Sequence, residues 1–369
     1  MQYSSYPKLP NIKLSRFGMG IMRMPATKVD GKDVIDRTLG REMVKAALDA
    51  GVNYFDTAYP YHDGDSEAFV GEVLEPYYDK IYVATKLPQW LVKSYEDYER
   101  YLDEQLDKLK RKSIDFYMIH ALSGQSFDKH KEMGLLDFID KAKADGKIKY
   151  PSFSYHGTQD GFKRVIDSYD WIMSMMILNY IDENVQAGVG GMRYAYERGV
   201  GVNAMEPLKG GMLVKLLPEP ARALFKERGL DPVETAMRWV HNLKEVTVIL
   251  SGVSTLEQTL GQIKIAENAH PNCLSDVEMD TLMQAKAQMD IIPCSECRYC
   301  QPCPQGVDIP AILGAANNLN EEEGKKRYRK LMEEGKGAEP CTACGACEAV
   351  CPQKIEIIEE IQKVHERFK

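Results

Sequence analysis

Four side chains in the first third of the sequence have the types and spacing needed for proton transfer. Asp56, Lys86 and His120 each come at the end of a short apolar stretch, and Tyr61 follows Asp56 in a loop. A phenol with a pKa of about 10 is a poor acid at neutral pH, but a neighbouring ammonium stabilises the phenolate left behind. Tyr61 beside Lys86 could therefore donate a proton, and Asp56 could balance the charge of Lys86.

Each of these residues also has an ordinary structural explanation when it is taken alone. Tyr61 could lie in the core or at its rim, and His120 could be a hydrogen-bonded core histidine. Asp56 and Lys86 could form a structural ion pair. Their shared position argues for function, because parallel strands deliver catalytic side chains to one face of a barrel at their C-terminal ends. The four residues are therefore our candidate catalytic site.

The elements that would hold these side chains repeat along the chain. Eight strand-like stretches alternate with segments of helical periodicity, at residues 15–24, 52–57, 81–86, 114–120, 148–154, 171–178, 200–206 and 246–253. Strands and helices in alternation imply parallel pairing. A doubly wound sheet would normally show a Gly-x-Gly-x-x-Gly turn after its first strand, but Gly18-Met19-Gly20 lacks the third glycine. The sequence therefore predicts an α/β fold of the (β/α)8 TIM barrel type.

Length and charge narrow the class of protein. The chain has 369 residues, enough for one large and one small domain, and its 44% of hydrophobic residues can fill an ordinary core. A formal net charge of -8 argues against nucleic acid as a partner. The longest apolar run, 171–178, is too short to cross a bilayer, and the N-terminus does not resemble a signal peptide. We therefore expect a cytoplasmic protein without a membrane partner.

Eight of the nine cysteines follow residue 293 in two tight groups, Cys294, Cys297, Cys300 and Cys303, then Cys341, Cys344, Cys347 and Cys351. This clustering indicates metal binding, because a disulfide framework would spread its cysteines along the chain. The second group has the Cys-x2-Cys-x2-Cys-x3-Cys-Pro spacing of bacterial [4Fe-4S] ferredoxins, whereas the first is one residue shorter. Zinc is the alternative, since Cys-x2-Cys pairs suit a tetrahedral ion, but two unbroken runs of four cysteines favour clusters.

A boundary between two domains is predicted at residues 291–293, where the sequence reads Ile-Ile-Pro. Before it, a helix from Ser275 to about residue 289 should close the barrel, with Ser275 and Glu278 as its capping box. After it, a highly charged stretch at 321–334 should form an exposed helix between the cysteine groups. We therefore expect a barrel at 1–290 and a small, mainly helical, ferredoxin-like domain at 291–369.

The order and spacing of the four candidate residues resemble the aldo/keto reductase family, in which the same tetrad has its tyrosine five residues after the aspartate. With the cysteine motifs included, the chain resembles a ferredoxin-domain member of that family. The resemblance implies an oxidoreductase in which NADPH or NADH gives a hydride to a carbonyl while Tyr61 donates the proton. It also implies that Lys86, held by Asp56, lowers the pKa of Tyr61. His120 would orient the carbonyl or relay the proton.

The resemblance also implies a set of cofactor-binding residues at the mouth of the barrel: Gly20, Met22, Arg23, Asp56, Ser154, Pro207, Leu208, Gly210, Gly252, Ser254, Gln258 and Gln262. Several positions depart from the family pattern. Tyr155 and Met175 replace an asparagine and a glutamine that bind the nicotinamide carboxamide, and Met205 replaces the aromatic residue that stacks on the nicotinamide. Gly252 and Gln258 stand where many NADP-dependent members have the lysine and arginine that bind a 2'-phosphate. The preference for NADPH should therefore be weak.

In ferredoxins of this type the fourth cysteine of each motif binds the cluster of the other motif. The resemblance therefore implies two [4Fe-4S] clusters with exchanged ligands. The first would be held by Cys294, Cys297, Cys300 and Cys351, and the second by Cys341, Cys344, Cys347 and Cys303.

The expected function is hydride transfer between a nicotinamide and a small carbonyl or alcohol substrate. Trp90 is a candidate wall of the substrate pocket and equally a candidate rim residue. The clusters raise a separate question, because a nicotinamide moves two electrons as a hydride, a cluster moves one, and no flavin motif is evident. A redox partner protein or a flavin could connect them, or the clusters could be structural or oxygen-sensing. The alternative hypothesis is an electron-transfer or redox-sensing protein whose barrel is only a binding scaffold.

Overall fold

The computed structural model of the protein describes residues 1–215, 217–289, 292, 294, 300–318, 321–351 and 355–369. The strands in these residues are β1 (Tyr3–Ser4), β2 (Leu14–Ser15), β3 (Phe17–Gly20), β4 (Ala26–Val29), β5 (Lys32–Ile35), β6 (Tyr54–Asp56), β7 (Tyr82–Leu87), β8 (Ile114–Leu122), β9 (Ile148–Tyr155), β10 (Met173–Ile177), β11 (Gly201–Met205) and β12 (Val246–Gly252).

The helices are α1 (Arg37–Asp49), α2 (Asp65–Val73), α3 (Tyr95–Lys108), α4 (Gly124–Glu132), α5 (Leu135–Ala144), α6 (Gln159–Asp167), α7 (Gly188–Glu197), α8 (Met212–Lys215), α9 (Glu219–Glu227), α10 (Pro232–Asn242), α11 (Leu256–Asn268), α12 (Asp276–Gln288), α13 (Ile309–Ala316), α14 (Glu321–Glu333), α15 (Ala346–Ala349) and α16 (Ile357–Phe368). No helix within the described ranges has both the length and the apolar character that a membrane crossing requires.

Eight of the strands form a closed barrel in the order β3, β6, β7, β8, β9, β10, β11, β12, and every neighbouring pair is parallel. All eight predicted strands are present, so the (β/α)8 barrel is confirmed. The first predicted stretch, 15–24, is wrong in its extent. Its barrel strand ends at Gly20, and Ile21–Arg23 form a 3-10 turn that carries the chain over the mouth of the barrel.

The N-terminal segment closes the opposite end of the barrel. Strands β1 and β2 form a small antiparallel hairpin there. Between them Tyr6 is buried, packs edge-on against Phe116 with 5.5 Å between the ring centroids, and donates a hydrogen bond of 2.7 Å to Asn203. Sequence periodicity does not reveal this plug, because strands of two residues have no measurable alternation. The plug leaves the C-terminal ends of the strands as the open face.

Helix periodicity gave a reliable guide to the outer layer of the barrel. In α3, Tyr98, Leu102 and Leu106 are buried along one face. The helix predicted at the end of the barrel is α12, whose N-cap Ser275 and Glu278 form the expected reciprocal capping box. The capping box is therefore confirmed.

Helices α13 to α16 pack around a hydrophobic core of their own. The prediction that the charged helix α14 is exposed is only half right, because its Tyr328 is fully buried and contacts His365 of α16 through an oxygen to Nδ1 distance of 2.7 Å. The predicted domain boundary falls mostly on residues outside those the structure describes. Of residues 291–293 only Ile292 is described, and it is tied to Asn317 by two hydrogen bonds of 2.7 and 2.9 Å.

Candidate active site

The four candidate residues meet at the open end of the barrel. Asp56 ends β6, Lys86 is near the end of β7, and Tyr61 begins a 3-10 turn that follows β6. Asp56 pairs in register with Ala84, and Lys86 lies two residues further along on the same side of its strand. The Lys86 ammonium therefore reaches Asp56 Oδ1 at 2.6 Å and donates a second hydrogen bond of 2.7 Å to the carbonyl oxygen of Thr57.

This ion pair is almost completely removed from water. Lys86 is 1% exposed and Asp56 is 5% exposed. Burial raises the pKa of Asp56, and the Lys86 ammonium offsets part of that rise. Burial alone would lower the pKa of Lys86, but Asp56 and Tyr61 outweigh it and the pKa lies above its ordinary value. Lys86 therefore keeps its positive charge at neutral pH.

Tyr61 lies against this ion pair, with Lys86 Nζ 4.9 Å from the centroid of its ring. Burial raises the pKa of Tyr61 above its ordinary value, while the Lys86 ammonium acts in the opposite direction. The expected effect of Lys86 is therefore present but smaller than the effect of burial. Tyr61 stays protonated at neutral pH, as a proton donor must.

His120 is aimed into the site by an irregularity in β8. The register between β8 and β9 shifts between Ile119 and Leu122, and Ala121 has a φ of 51°. The His120 ring meets Tyr61 edge-on with 5.9 Å between the ring centroids. Its Nδ1 is buried and has no hydrogen-bond partner among the described residues.

The charge state of His120 follows from its surroundings. Burial, followed by the positive charge of Lys86, holds the pKa of His120 well below its ordinary value. The ring is therefore neutral at pH 7 and can make hydrogen bonds without acting as the acid. Trp90, the candidate pocket wall, is 48% exposed and contacts His120 with 5.0 Å between the ring centroids.

A buried polar network behind β7 holds the backbone of Lys86. Gln105 of α3 donates hydrogen bonds to the Lys86 carbonyl oxygen at 3.0 Å and to Glu67 Oε1 at 2.5 Å. Thr85 donates to the same carboxylate oxygen at 2.6 Å, and Tyr117 donates to Gln105 Oε1 at 2.9 Å. The sequence analysis missed this network. Its only signal was a polar residue on the otherwise apolar faces of α2 and α3.

Several of the proposed cofactor-binding residues lie together at the C-terminal ends of β3 and β12 and in the loop after β11. Gly20 pairs in register with Gly252. The side chain of Arg23 lies close to the backbone of two loops. A Cβ added to Gly210 would lie 2.7 Å from Arg23 Nη2, and a Cβ added to Gly252 would lie 3.0 Å from Arg23 Cδ. Met22 beside it is exposed. A guanidinium between two glycine backbones fits the pyrophosphate of a dinucleotide.

The start of α11 offers further polar groups. Gln258 Oε1 accepts a hydrogen bond of 2.9 Å from the backbone N–H of Ser254, and Thr255 caps the helix. Gln262 is 6% exposed, and its Oε1 has no partner among the described residues. An unpaired buried acceptor suits a ligand that offers a hydrogen-bond donor, such as the exocyclic amine of an adenine ring.

The predicted carboxamide site is only partly formed by the residues expected there. Ser154 is buried, and its oxygen accepts a hydrogen bond of 2.7 Å from the Ala121 backbone. Met175 lies opposite Ser154 in register. Tyr155 is turned away from the mouth and donates to the Thr158 carbonyl oxygen at 2.9 Å. The remaining predicted cofactor residues of the loop after β11, Pro207 and Leu208, are buried and half-buried.

The cysteine motifs form a second candidate site in the helical module. A cavity of about 220 Å³ is lined by thiols of both motifs, namely Cys300, Cys303, Cys341, Cys344 and Cys347. Cys351 is buried and Cys294 is half-buried, whereas Cys297 lies outside the described residues. Within the described ranges no three His, Cys, Asp or Glu side chains are grouped closely enough to bind one metal ion. The thiols surround a space instead of converging on a point.

Two family models match this chain. One, for the aldo/keto reductase family, matches residues 16–282, and the other, for a 4Fe-4S dicluster domain, matches residues 293–356. The chain is 27% identical over 271 residues to an L-galactose dehydrogenase from Arabidopsis thaliana, covering 67% of this chain and 82% of that protein. It is 23% identical to the uncharacterized oxidoreductase YqkF from Bacillus subtilis, with coverages of 76% and 95%.

A solved structure shares the barrel fold. The holo form of the aldo-keto reductase AKR11C1 from Bacillus halodurans superposes with a TM-score of 0.64 at 21% identity, over 77% of this chain and 96% of that one.

The buried ion pair generates a prediction about stability. Lys86→Met should destabilise the barrel by about 3–5 kcal/mol, because it leaves the Asp56 carboxyl group buried without its cation. Adding Asp56→Asn should recover part of this loss, since no uncompensated charge then remains. Lys45→Met, which removes an exposed pair with Asp49, is the control and should cost less than about 1 kcal/mol. Urea unfolding followed by circular dichroism measures all three, and equal losses for the single and double variants would contradict the prediction.

Proposed function

The chain belongs to the aldo/keto reductase family and carries a C-terminal 4Fe-4S dicluster domain, and we propose that it reduces a small carbonyl compound with NADH or NADPH. As an oxidoreductase of this family it acts on small molecules. The reverse reaction, oxidation of an alcohol, uses the same groups. The observation that carries the proposal is the buried Asp56–Lys86 pair in contact with Tyr61.

In the proposed mechanism each residue has a separate task. Tyr61 donates its phenolic proton to the carbonyl oxygen, and Lys86 stabilises the phenolate that results. Asp56 keeps Lys86 in place, and neutral His120 makes a hydrogen bond that orients the carbonyl. The nicotinamide, when bound, supplies the hydride that reaches the carbonyl carbon, so the substrate gains one hydride and one proton and becomes an alcohol.

The residues at the mouth of the barrel fit a dinucleotide. Arg23 between Gly210 and Gly252 would bind the pyrophosphate, and Gln262 would meet the adenine. Gly20, Met22, Pro207 and Leu208 would line its path. Gly252 and Gln258 stand at the two sequence positions where a 2'-phosphate would need cations, and neither supplies one.

The two cysteine motifs are proposed to hold two [4Fe-4S] clusters. Cys303 of the first motif shares its cavity with Cys341, Cys344 and Cys347, which supports the exchange of fourth ligands. Cys300 lines the same cavity, which would bring the two clusters close together. Free thiols of this kind stay reduced in the cytoplasm, where we place the protein.

Two roles for the clusters follow from electron counting. A cluster transfers one electron and a hydride carries two, so an electron path to the barrel needs a redox partner able to divide the pair. Without such a partner the clusters would act as a structural core for α13 to α16, where several cysteines already pack against the hydrophobic residues. Both roles are compatible with reduction of a carbonyl by the barrel.

The assignment of Tyr61 is tested by removing its hydroxyl group. Tyr61→Phe should lower kcat/KM for carbonyl reduction by about 10²- to 10⁴-fold, because the general acid is lost. Affinity for the nicotinamide, measured by fluorescence quenching, should stay close to that of the wild type. Tyr59→Phe is the matched control, since the Tyr59 hydroxyl group bonds to Glu104 outside the site. Retained turnover in Tyr61→Phe would assign the proton to another group.

The cofactor preference can be tested by adding a cation. The protein should accept NADH at least as well as NADPH, and Gln258→Arg should shift the ratio of kcat/KM values toward NADPH. Gln284→Arg adds the same charge on the exposed face of α12 and should leave the ratio unchanged. A native preference of about a hundredfold for NADPH would overturn this part of the proposal.

The clusters can be counted directly. Two cubanes predict about eight irons and eight acid-labile sulfides per chain, and zinc without sulfide would rule them out. With exchanged ligands, Cys351→Ser should damage the cluster of the first motif, and Cys303→Ser should damage that of the second. Cys273→Ser, which changes a half-buried thiol of the barrel, is the control. If EPR shows that each variant loses only the cluster of its own motif, the exchange is wrong.

A further inference from the structure

A buried histidine outside the tetrad joins two neighbouring loops at the mouth of the barrel. His130 of α4 is 1% exposed, and both of its ring nitrogens have partners. Its Nδ1 lies 2.7 Å from the hydroxyl oxygen of Tyr98 in α3, and its Nε2 lies 2.8 Å from Oε1 of Gln89. Gln89 begins the 3-10 turn that follows β7. His130 therefore connects the helix after β8 with the turn after β7.

The protonation states of these groups fix the direction of both hydrogen bonds. Burial lowers the pKa of His130 to about 4, so its ring is neutral at pH 7 and carries one N–H proton. Burial raises the pKa of Tyr98, whose hydroxyl group keeps its proton and donates it to Nδ1, the closer of two acceptors on His130. The ring proton then belongs to Nε2, which donates to the side-chain oxygen of Gln89.

The anchor of His130 lies in the packed outer layer of the barrel. The Tyr98 ring is fully buried and stacks on Phe138 of α5, with 5.1 Å between the ring centroids and 19° between the ring planes. The position of His130 is thus set by three helices and not by the turn. A buried side chain that is locked by packing and hydrogen bonds can hold a neighbouring turn in one place.

The turn that His130 holds also carries Trp90. The chain is buried at Pro88 before the turn and at Val92 after it, whereas Trp90 between them is 48% exposed. The Trp90 ring contacts His120 with 5.0 Å between the ring centroids. Because about half of the Trp90 surface is open to solvent, this contact depends on where the backbone of the turn lies.

His120 and His130 belong to the same strand–helix unit. His120 is part of β8, and α4, which follows β8 directly, contains His130. The hydrogen bond between His130 and Gln89 therefore ties the turn to the unit that carries the partner of Trp90. One interaction outside the tetrad thus holds both rings in a common frame.

We propose that His130 is a positioning residue that holds Trp90 against His120 and thereby controls how tightly the carbonyl compound binds. Trp90 and His120 would form one continuous wall, with the indole against the organic part of the substrate and the imidazole at its carbonyl oxygen. The effect on substrate binding rests on the proposed function. The effect on the position of Trp90 does not, so the two can be measured separately.

Collisional quenching of tryptophan fluorescence by acrylamide tests the position of Trp90 without turnover. The other two tryptophans, Trp171 and Trp239, are 0% and 3% exposed, so acrylamide reports mainly on Trp90. In the full-length, iron-replete protein, His130→Phe should raise the Stern–Volmer constant about twofold, because the half-exposed indole leaves His120. Adding Trp90→Phe should abolish this increase. His130→Gln, whose amide can donate to Gln89 and accept from Tyr98, should restore the wild-type value.

The effect on substrate binding is measured with benzaldehyde, whose flat ring can contact the Trp90 indole. His130→Phe should raise the KM for benzaldehyde about tenfold and leave kcat and nicotinamide affinity unchanged, because the lost contact serves ground state and transition state alike. Gln89→Leu breaks the same hydrogen bond from the half-buried side of the turn and should have the same two effects. His241→Phe is the control, since it changes a buried histidine at the end of α10 that leads into β12, and it should alter neither quenching nor KM.

The outcomes separate this inference from the proposed function. If the wild type does not reduce benzaldehyde, the proposed function fails for this substrate and the effect on KM fails with it, while quenching still decides whether His130 holds Trp90. If the wild type is active but His130→Phe and Gln89→Leu change neither the Stern–Volmer constant nor KM, His130 is not a positioning residue. A large drop in the Tm of His130→Phe with unchanged quenching and KM would likewise assign His130 to the packing of the outer layer alone.

Discussion

The buried ion pair between Lys86 and Asp56 is the interaction on which the candidate active site depends. Removing two charges from water is costly unless each has a close partner of opposite charge. The two strands must therefore place the side chains at the same level of the barrel. Parallel pairing of β6 with β7 supplies that match and leaves a nitrogen to oxygen distance of 2.6 Å. The hydrogen bond from Gln105 to the Lys86 carbonyl oxygen then fixes the backbone that presents the ammonium.

Burial and the charge of this pair together set the protonation states around it. Burial, reinforced by the positive charge of Lys86, holds the pKa of His120 low and keeps the ring neutral. Burial keeps Tyr61 protonated, and Lys86 makes loss of its proton easier than burial alone would allow. Burial thus separates two neighbouring titratable groups into a proton donor and a neutral hydrogen-bonding group, and Lys86 lowers the pKa of both. This division favours an enzyme over a barrel retained only as a scaffold.

Local patterns in the sequence were enough for the barrel and for the four candidate residues. Apolar stretches of six to ten residues mark the strands, and a polar residue at the end of three of them marks the proposed catalytic face. The Tyr6 plug and the Glu67–Gln105 network were missed. Each depends on contacts between residues far apart in the chain, and neither carries a periodic signal. Arg23, Gly210 and Gly252 were predicted to bind the cofactor, but the position of Arg23 between the two glycines could be seen only in the folded loops.

In the helical module, too, the sequence motifs predicted the domain but not the arrangement of its side chains. Cysteine spacing predicted the dicluster domain, which the family comparison confirmed. Spacing alone could not show that Cys300 and Cys303 share a cavity with three cysteines of the other motif. That arrangement arises because α13 and α16 pack around the same core.

The pH dependence of carbonyl reduction by the wild type tests the central claim most directly. Tyr61 as the acid has a pKa above its ordinary value, and the pKa of His120 lies well below 6.5. Neither group therefore titrates near neutrality. The account predicts that kcat/KM stays constant between about pH 6 and 9 and falls only at higher pH, as Tyr61 loses its proton. A fall in kcat/KM with a midpoint of about pH 6.5 would show that a histidine is the acid, and would contradict the account.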